Sequence, residues 1–349
     1  MTKRKDNEMA MSDEQFKEFL EKTPLNQNIQ KYLMVTRIKL SQCRRISISY
    51  SGGSDSDIVI DIVELIKPKE CGEIRYVFID TGLEWDATIR HVSNTEQKYG
   101  VTIEPKKSKV TIPTACKKHG IPFIAKEPSH YFDILQQHNF DWNDTLEAAT
   151  IEKYGKCKSV IEWWFCVPRV SKNGKKRKDI SRFKYLREFI KDNPPDFQIS
   201  KKCCTYAKIN VSNDFNAEFN PDLLINGMRQ AENGVRSASI KNCFTPTGKN
   251  GYAEYRPLWF WTDEDKRVYK EWRGIKNSDC YEIWGFERTG CVGCPCSSNV
   301  IEQLQIAKQY EPNKVNAAYA VFGKSYEYRE KYNEYKKHGG MIQLKLEGF

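Results

Sequence analysis

Ile46-Ser-Ile-Ser-Tyr50-Ser51-Gly52-Gly53-Ser54-Asp55-Ser56-Asp57, followed by the apolar run Ile58 to Ile66, holds the change of period that decides the fold. Alternation from Ile46 to Tyr50 predicts a strand, Ser51 to Ser54 a turn, and Asp57 to Ile66 a helix. Two glycines let the backbone turn tightly and bring its N–H groups against an anion. The helix N-terminus adds a favourable dipole, and the Ser51 and Ser56 hydroxyls can donate further bonds. The spacing and lysine of a Walker A loop are absent. The segment therefore reads as a phosphate-binding loop of another kind.

Outward from it the pattern repeats. Ile74 to Ile79 reads as a buried strand, Asp86 to Tyr99 as a helix and Val101 to Glu104 as a short strand. Strand and helix alternate from about residue 46 to 104, which predicts an α/β fold: a parallel sheet with crossover helices on both faces. Upstream, Ser12-Asp-Glu-Gln15 is a capping box opening a helix through Leu20, and a second helix runs from Asn28 to about Leu40. Downstream, residues 140 to 180 are irregular. They hold Trp142, Trp163 and Trp164 and the basic run Lys172 to Lys178, which reads as an exposed loop. Phe183 to Ile190 resumes a helix that Pro194-Pro195 stops. Pro221 to Asn226 reads as a core strand, Thr262-Asp-Glu-Asp265 caps a helix to about Trp272, and Ser298 opens another through Tyr310.

Composition narrows the class. The 349 residues are 39% hydrophobic and 12% aromatic, enough for a sizeable core. No apolar run approaches the roughly 20 residues a membrane span needs. The polar stretch Met1 to Met11 lacks an apolar signal region, so the expected location is cytoplasmic. There, close pairs among the twelve cysteines read as metal ligands or redox groups before disulfides. The net charge of +10 favours anionic partners, a nucleotide first and nucleic acid as well.

Five segments together carry a family resemblance. Ser51 to Ser56 matches the S-G-G-x-D-S pattern of PP-loops, in which lysine often stands where this chain has Ser54. Phe78-Ile-Asp80-Thr81-Gly82-Leu83-Glu84 resembles the second nucleotide segment. Asn226-Gly227-Met228-Arg229-Gln230-Ala231-Glu232-Asn233-Gly234-Val235-Arg236 resembles the stretch whose two arginines contact the substrate's phosphate or sulfate. Arginine's planar fork suits oxyanions. Tyr255 to Asp265 resembles the "P-L-x-x-W-T-x-E-D" stretch, read here as apolar packing followed by a helix cap. Arg288-Thr289-Gly290-Cys291-Val292-Gly293-Cys294-Pro295 matches "R-T-G-C-x-x-C-P".

The chain thus resembles the phosphoadenosine phosphosulfate (PAPS) reductase family of the N-type ATP pyrophosphatase superfamily. The resemblance implies an adenine nucleotide alpha hydrolase-like fold over residues 43–296, with the basic insertion at about 140–180. A helical extension precedes it at 1–42 and another follows at 297–349. It implies nucleotide contacts from Ser51, Gly52, Gly53, Ser54, Asp55, Ser56, Asp80, Thr81, Gly82 and Arg288, catalytic roles for Asp55, Arg229 and Arg236, and Mg²⁺ arriving with ATP.

Cys203-Cys204 and Cys291-x-x-Cys294 form two close pairs, and four thiolates can hold a 4Fe–4S cluster or a tetrahedral zinc. The same arrangement binds a 4Fe–4S cluster in the adenosine phosphosulfate (APS) reductase branch, so the resemblance implies Cys203, Cys204, Cys291 and Cys294 as ligands. Cys296 is an extra thiol able to replace one of them. The adjacent pair favours the cluster over zinc, and metal-free thiols are the third reading. The other seven cysteines read as buried small hydrophobes, and the five histidines lack ligand spacing.

Sulfonucleotide reductases attack sulfur with a cysteine in a Glu-Cys-Gly-Leu-His motif. That motif has no counterpart here, the last cysteine being Cys296. The expected function is therefore an adenine-nucleotide enzyme acting on ATP, APS or PAPS, activating an acceptor by adenylation with pyrophosphate release in sulfur chemistry. Two alternatives stand beside it. One is sulfonucleotide reduction by a non-standard thiol, Cys296 or an external thioredoxin-like partner. The other is a nucleic-acid-binding component of a sulfur-modification or defence system.

Overall fold

A computed structural model describes residues 10–170, 174, 176–232, 240–248 and 250–340. The chain divides into two compact units. The first takes Met1–Lys109 with Lys208–Cys291, and the second Val110–Ala207 with Val292–Phe349.

The first unit opens with α1 (Asp13–Lys22) and α2 (Gln27–Gln42). Ser12 and Gln15 form the expected capping box, and Asn26 caps α2 through the Ile29 amide. Then follow β1 (Arg45–Ser49), α3 (Ser54–Ile66), β2 (Glu73–Asp80), α4 (Asp86–Tyr99) and β3 (Ile103–Lys107). After the second unit's first segment come the helix Asn210–Phe219, β4 (Leu223–Ile225), β5 (Phe244–Thr245), β6 (Ala253–Tyr255) and the helix Asp263–Arg273. The predicted strand–turn–helix at residue 46 is present, with α3 starting at Ser54, three residues before the expected Asp57.

All six strands join one sheet in the order β3-β2-β1-β4-β6-β5. Every pairing is parallel except β5 with β6. The register sets Ile48 between Tyr76 and Ile225. Alternation along β2 sends Tyr76 and Phe78 into the large core with α2 and α3, whereas Val77 packs with Phe215 and Phe219 of the helix Asn210–Phe219. Helices therefore cover both faces, as the α/β reading expected. From β1 the chain steps outward through β2 to β3, then returns to lay β4 on the opposite side of β1. The strand order reverses at β1/β4, the place where open α/β sheets bind ligands at strand C-termini.

α3 is anchored by carboxylates. Asp57, Asp61 and Glu64 lie at i, i+4 and i+7 and are all buried. Tyr50 Oη donates to Asp57 at 2.6 Å and Tyr76 Oη to Glu64 at 2.6 Å. Asp61 is fully buried and accepts from Tyr99 at 2.8 Å, Tyr269 at 2.9 Å and Arg273 Nε at 2.8 Å. Burial first, then the facing carboxylate, pushes all four tyrosines above their ordinary range, so they stay protonated donors.

The second unit is built on aromatic packing. Trp163 and Trp164 are wholly buried with Phe123, Phe132 and Phe189. Trp163 meets Phe132 edge-on at 5.6 Å. Trp142, expected in an irregular insertion, packs against Trp164 at 5.2 Å. The irregular stretch therefore supplies the core of this unit. Of the basic run, residues 172, 173 and 175 lie outside the described residues, while Lys176, Arg177 and Lys178 are exposed. The helix expected from Ser298 to Tyr310 spans Val300–Ala307, and a longer one, Pro312–Lys337, follows it. Tyr328 and Tyr332 of that helix enter the same core, Tyr332 Oη donating to the Lys184 carbonyl at 2.7 Å. Among the described residues no helix is long and apolar enough to cross a membrane.

Replacing Asp61 with Ala should strand the Arg273 guanidinium and two tyrosine hydroxyls, costing about 3 kcal/mol in denaturant unfolding. A change within roughly 0.5 kcal/mol would show that the buried carboxylate anchors nothing.

Candidate nucleotide loop and thiol group

The loop after β1 is closed by Ser56, whose hydroxyl donates to the Gly53 carbonyl at 2.7 Å and accepts from the Gly53 amide at 3.0 Å. Its oxygen also lies 3.2 Å from Ser51 Oγ. Ser56 thus shapes the turn as much as it lines it. Gly52 turns with φ +67°, and a Cβ there would lie 2.7 Å from the Thr88 methyl carbon. The left-handed φ and the close Thr88 side chain both favour glycine there. Tyr281 Oη accepts from the Ser54 amide at 3.4 Å and from the Thr289 amide at 3.2 Å. The stretch bearing the exposed Arg288 is thereby tied to the loop within the first unit.

The segment after β4 comes against the same loop. A Cβ on Gly227 would reach 3.0 Å from the Asp55 carbonyl, so the glycine permits this close approach. Two residues on, Arg229 Nε lies 3.2 Å from Asp55 Oδ1, off the line of a hydrogen bond, and its Nη1 lies 2.8 Å from Asp263 Oδ1. Burial works against the Arg229 charge, but Asp55 and then Asp263 outweigh it and hold the guanidinium above its ordinary range. Lys266, on the helix Asp263–Arg273, places its ammonium 2.8 Å from the same Asp55 oxygen. One turn further, Lys270 bonds Asn277 and is lowered by burial. Asn277 Nδ2 donates to Asp57 at 2.5 Å, and His91 Nε2 meets that carboxylate at 2.9 Å. Arg236 lies outside the described residues.

At the end of β2, Asp80 Oδ1 accepts from the Gly82 amide at 2.9 Å and Thr81 Oγ1 donates to the buried Glu84 at 2.7 Å. This pattern holds the turn Asp80–Glu84 in shape at a strand's C-terminal end.

The second unit gathers thiols. Its short helix Lys202–Cys204 packs on the helix Ile112–His119. Cys203 neighbours Cys116 and Cys204, and Cys296 neighbours Cys294, closely enough for the thiols to influence one another's protonation. A backbone link fixes the approach, the Ile121 amide donating to the Gln198 carbonyl at 2.9 Å and the Ser200 amide to the Ile121 carbonyl at 3.0 Å. The chain after Cys204 is π-helical from Thr205 to Ile209, a wide turn frequent at functional sites. Arg329 holds the other cysteine stretch, donating to the Ser297 carbonyl at 2.7 Å. Contact with Cys116 for Cys203, with Cys203 for Cys204 and with Cys294 for Cys296, followed by burial, raises each of these thiols. Lys126 pulls Cys204 and Cys296 the other way.

Cys116 is buried, as expected, and lies beside Cys203. Cys157 and Cys280 are buried as expected, whereas Cys43, Cys71, Cys166 and Cys243 are only half-buried. Cys291, half-buried, closes the first unit, and Cys294 belongs to the second. Among the described residues no three His, Cys, Asp or Glu side chains converge to hold a single metal ion. The donors present are soft thiols arranged in pairs. That chemistry suits an iron–sulfur cluster, which spreads its thiolates over several irons, better than one tetrahedral zinc.

Sequence reading missed Lys266, Tyr281 and Cys116. Lys266 sits inside a capped helix that reads as structural, and its charge is indistinguishable from its neighbours' until the helix is docked. Cys116 has no close cysteine neighbour in sequence.

Residues 45–140 match the phosphoadenosine phosphosulfate reductase domain family. No curated protein matches the chain. Among solved structures, it is similar to the phosphoadenylyl-sulfate (PAPS) reductase of Candida auris in its phosphate complex, at 14% identity and TM-score 0.41, covering 81% of this chain and 96% of that one. The FMN adenylyltransferase of Candida glabrata aligns at 12% identity and TM-score 0.39, over 80% of this chain and 68% of that one. The U34-tRNA thiolase NcsA of Methanococcus maripaludis, with its 4Fe–4S cluster, aligns at 14% identity and TM-score 0.36, over 97% and 84%. The family match begins at the first residue of β1 and takes in the loop, α3, β2 and the Asp80–Glu84 turn. The match to the phosphoadenosine phosphosulfate reductase domain family thus falls on the segment that carries the first two of the resembling motifs, Ser51 to Ser56 and Phe78 to Glu84.

Proposed function

We propose that the chain is a PP-loop enzyme that binds an adenine nucleotide and activates an acceptor by adenylation in sulfur chemistry. The observation that carries this reading is the Ser51–Ser56 loop at the β1/β4 reversal, with Arg229 and Lys266 converging on Asp55. In the reaction, an acceptor oxygen attacks the α-phosphorus of ATP, the bond to the bridging oxygen of the β-phosphate breaks, and pyrophosphate leaves. Loop amides at the start of α3 would take the departing phosphates, with Ser51, Gly52, Gly53, Ser54 and Ser56 shaping the seat. Asp80, Thr81, Gly82 and Arg288 are assigned to the rest of the nucleotide, and Arg229, with Arg236 by family resemblance, to the charge that develops. Mg²⁺ arriving with ATP would neutralise the phosphates, with Asp55 as the nearest carboxylate.

Cys203, Cys204 and Cys294, with Cys291 completing the CxxC motif and Cys116 and Cys296 adjoining, are proposed to hold a 4Fe–4S cluster, which supplies a site able to bind sulfur. The same thiols support a second reading, sulfonucleotide reduction with an external thioredoxin-like thiol. Nucleic acid is a candidate acceptor, supported by the exposed cations Lys176, Arg177, Lys178 and Lys184.

Titrating the anaerobically purified protein with ATP–Mg²⁺, APS and PAPS separates these readings. Preference for ATP is the expected result; preference for APS or PAPS would replace adenylation by reduction, and no binding of any would overturn both. Iron analysis tests the thiols. Wild type should carry roughly four irons per chain. Cys204→Ser should lose most of the iron and the broad visible absorption, while Cys43→Ser keeps both. Equal iron in the two variants would remove Cys204 from the ligand set.

A further inference from the structure

The loop from Ser51 to Ser56 contains no basic side chain, yet a polyphosphate seated on it needs more neutralisation than amides and a helix dipole provide. Among the described residues, Arg229 and Lys266 pair with Asp55 from elsewhere in the first unit, and they are held differently. Arg229 has a side chain only 7% exposed and is fixed between Asp55 and Asp263. Lys266 is 20% exposed and meets Asp55 through a flexible four-carbon stem. The two therefore suit different tasks. A pinned guanidinium orients, whereas an ammonium on a long stem can change partners at small cost.

We propose that Lys266 is the loop's phosphate-binding cation and that Asp55 is its resting partner: a phosphate arriving at the first turn of α3 takes the ammonium from Asp55. The assignment rests on the nucleotide reading above but concerns the polyphosphate alone. Asp55 sits in the first turn of α3 and Lys266 in the first turn of its own helix, so the ammonium is already at the mouth of the loop. Lys270, one turn on, is engaged by Asn277 and stands back from Asp55 as a reserve of positive potential. Asp55 keeps Arg229 beside it when the ammonium leaves, so the exchange does not strand the carboxylate.

The competing reading is a plain surface ion pair that steadies α3. Calorimetric titration of the full chain with inorganic pyrophosphate, without added metal, and separately with adenosine decides between them. Lys266→Ala should weaken pyrophosphate binding about tenfold or more, with adenosine affinity and melting temperature unchanged. Lys266→Arg should stay within about threefold of wild type, since the charge is kept. Asp55→Asn should bind pyrophosphate at least as tightly as wild type, because the internal competitor is gone; a plain ion pair predicts no gain. Unchanged pyrophosphate affinity in Lys266→Ala, or an equal loss for pyrophosphate and adenosine, overturns the proposal. Wild type that binds pyrophosphate but not adenosine overturns the adenine-nucleotide reading and leaves Lys266 in place. Wild type that binds neither overturns both.

Discussion

Everything at the nucleotide loop depends on how α3 is held. A helix packed by apolar contacts alone can slide or rotate by a fraction of a turn at small cost. Three buried carboxylates forbid that. A carboxylate taken out of water costs several kcal/mol unless its oxygens are fully bonded, so Asp57, Asp61 and Glu64 are tolerable only where Tyr50, Tyr99, Tyr269, Arg273 and Tyr76 meet them. These partners come from the end of β1, β2, α4 and the helix Asp263–Arg273. One helix is thereby referenced to three neighbours and to the residue that opens the loop. The loop's shape follows from this frame as much as from its own serines and glycines.

The same frame delivers charge to the loop. Tyr269 and Arg273 fix the helix Asp263–Arg273 against α3 through Asp61, and Lys266 and Lys270 lie on that helix. The structural anchor and the cationic groups are thus one element read at two heights. Arg229 reaches the loop by a different route, through β4 and the close pass at Gly227. The loop is thus met from β4 and from a distant helix, which leaves Arg229 and Lys266 largely buried beside Asp55.

The strand–turn–helix, the capping boxes at Ser12 and Thr262, and the parallel α/β class were legible because each rests on neighbours in sequence: period two, period 3.6, and a side-chain oxygen three residues from an amide. The acidic triplet in α3 was not. Its residues sit within an apolar run, and nothing local says that tyrosines at positions 50, 76, 99 and 269 await them. The aromatic stretch around Trp142, Trp163 and Trp164 reads as an irregular insertion because it has no period, yet it forms the core of the second unit with helices far away in sequence.

By itself, then, the sequence determined the class of the fold, the strand–turn–helix that carries the Ser51–Ser56 loop and the adjacency of Cys203 and Cys204, since these follow from short-range periodicity and adjacency. Tertiary structure alone decided that Lys266 faces Asp55, that Cys116 joins Cys203, and that buried acids hold α3. Most of those contacts join residues dozens to hundreds of positions apart, and the burial that gives them energetic weight exists only once the chain is packed.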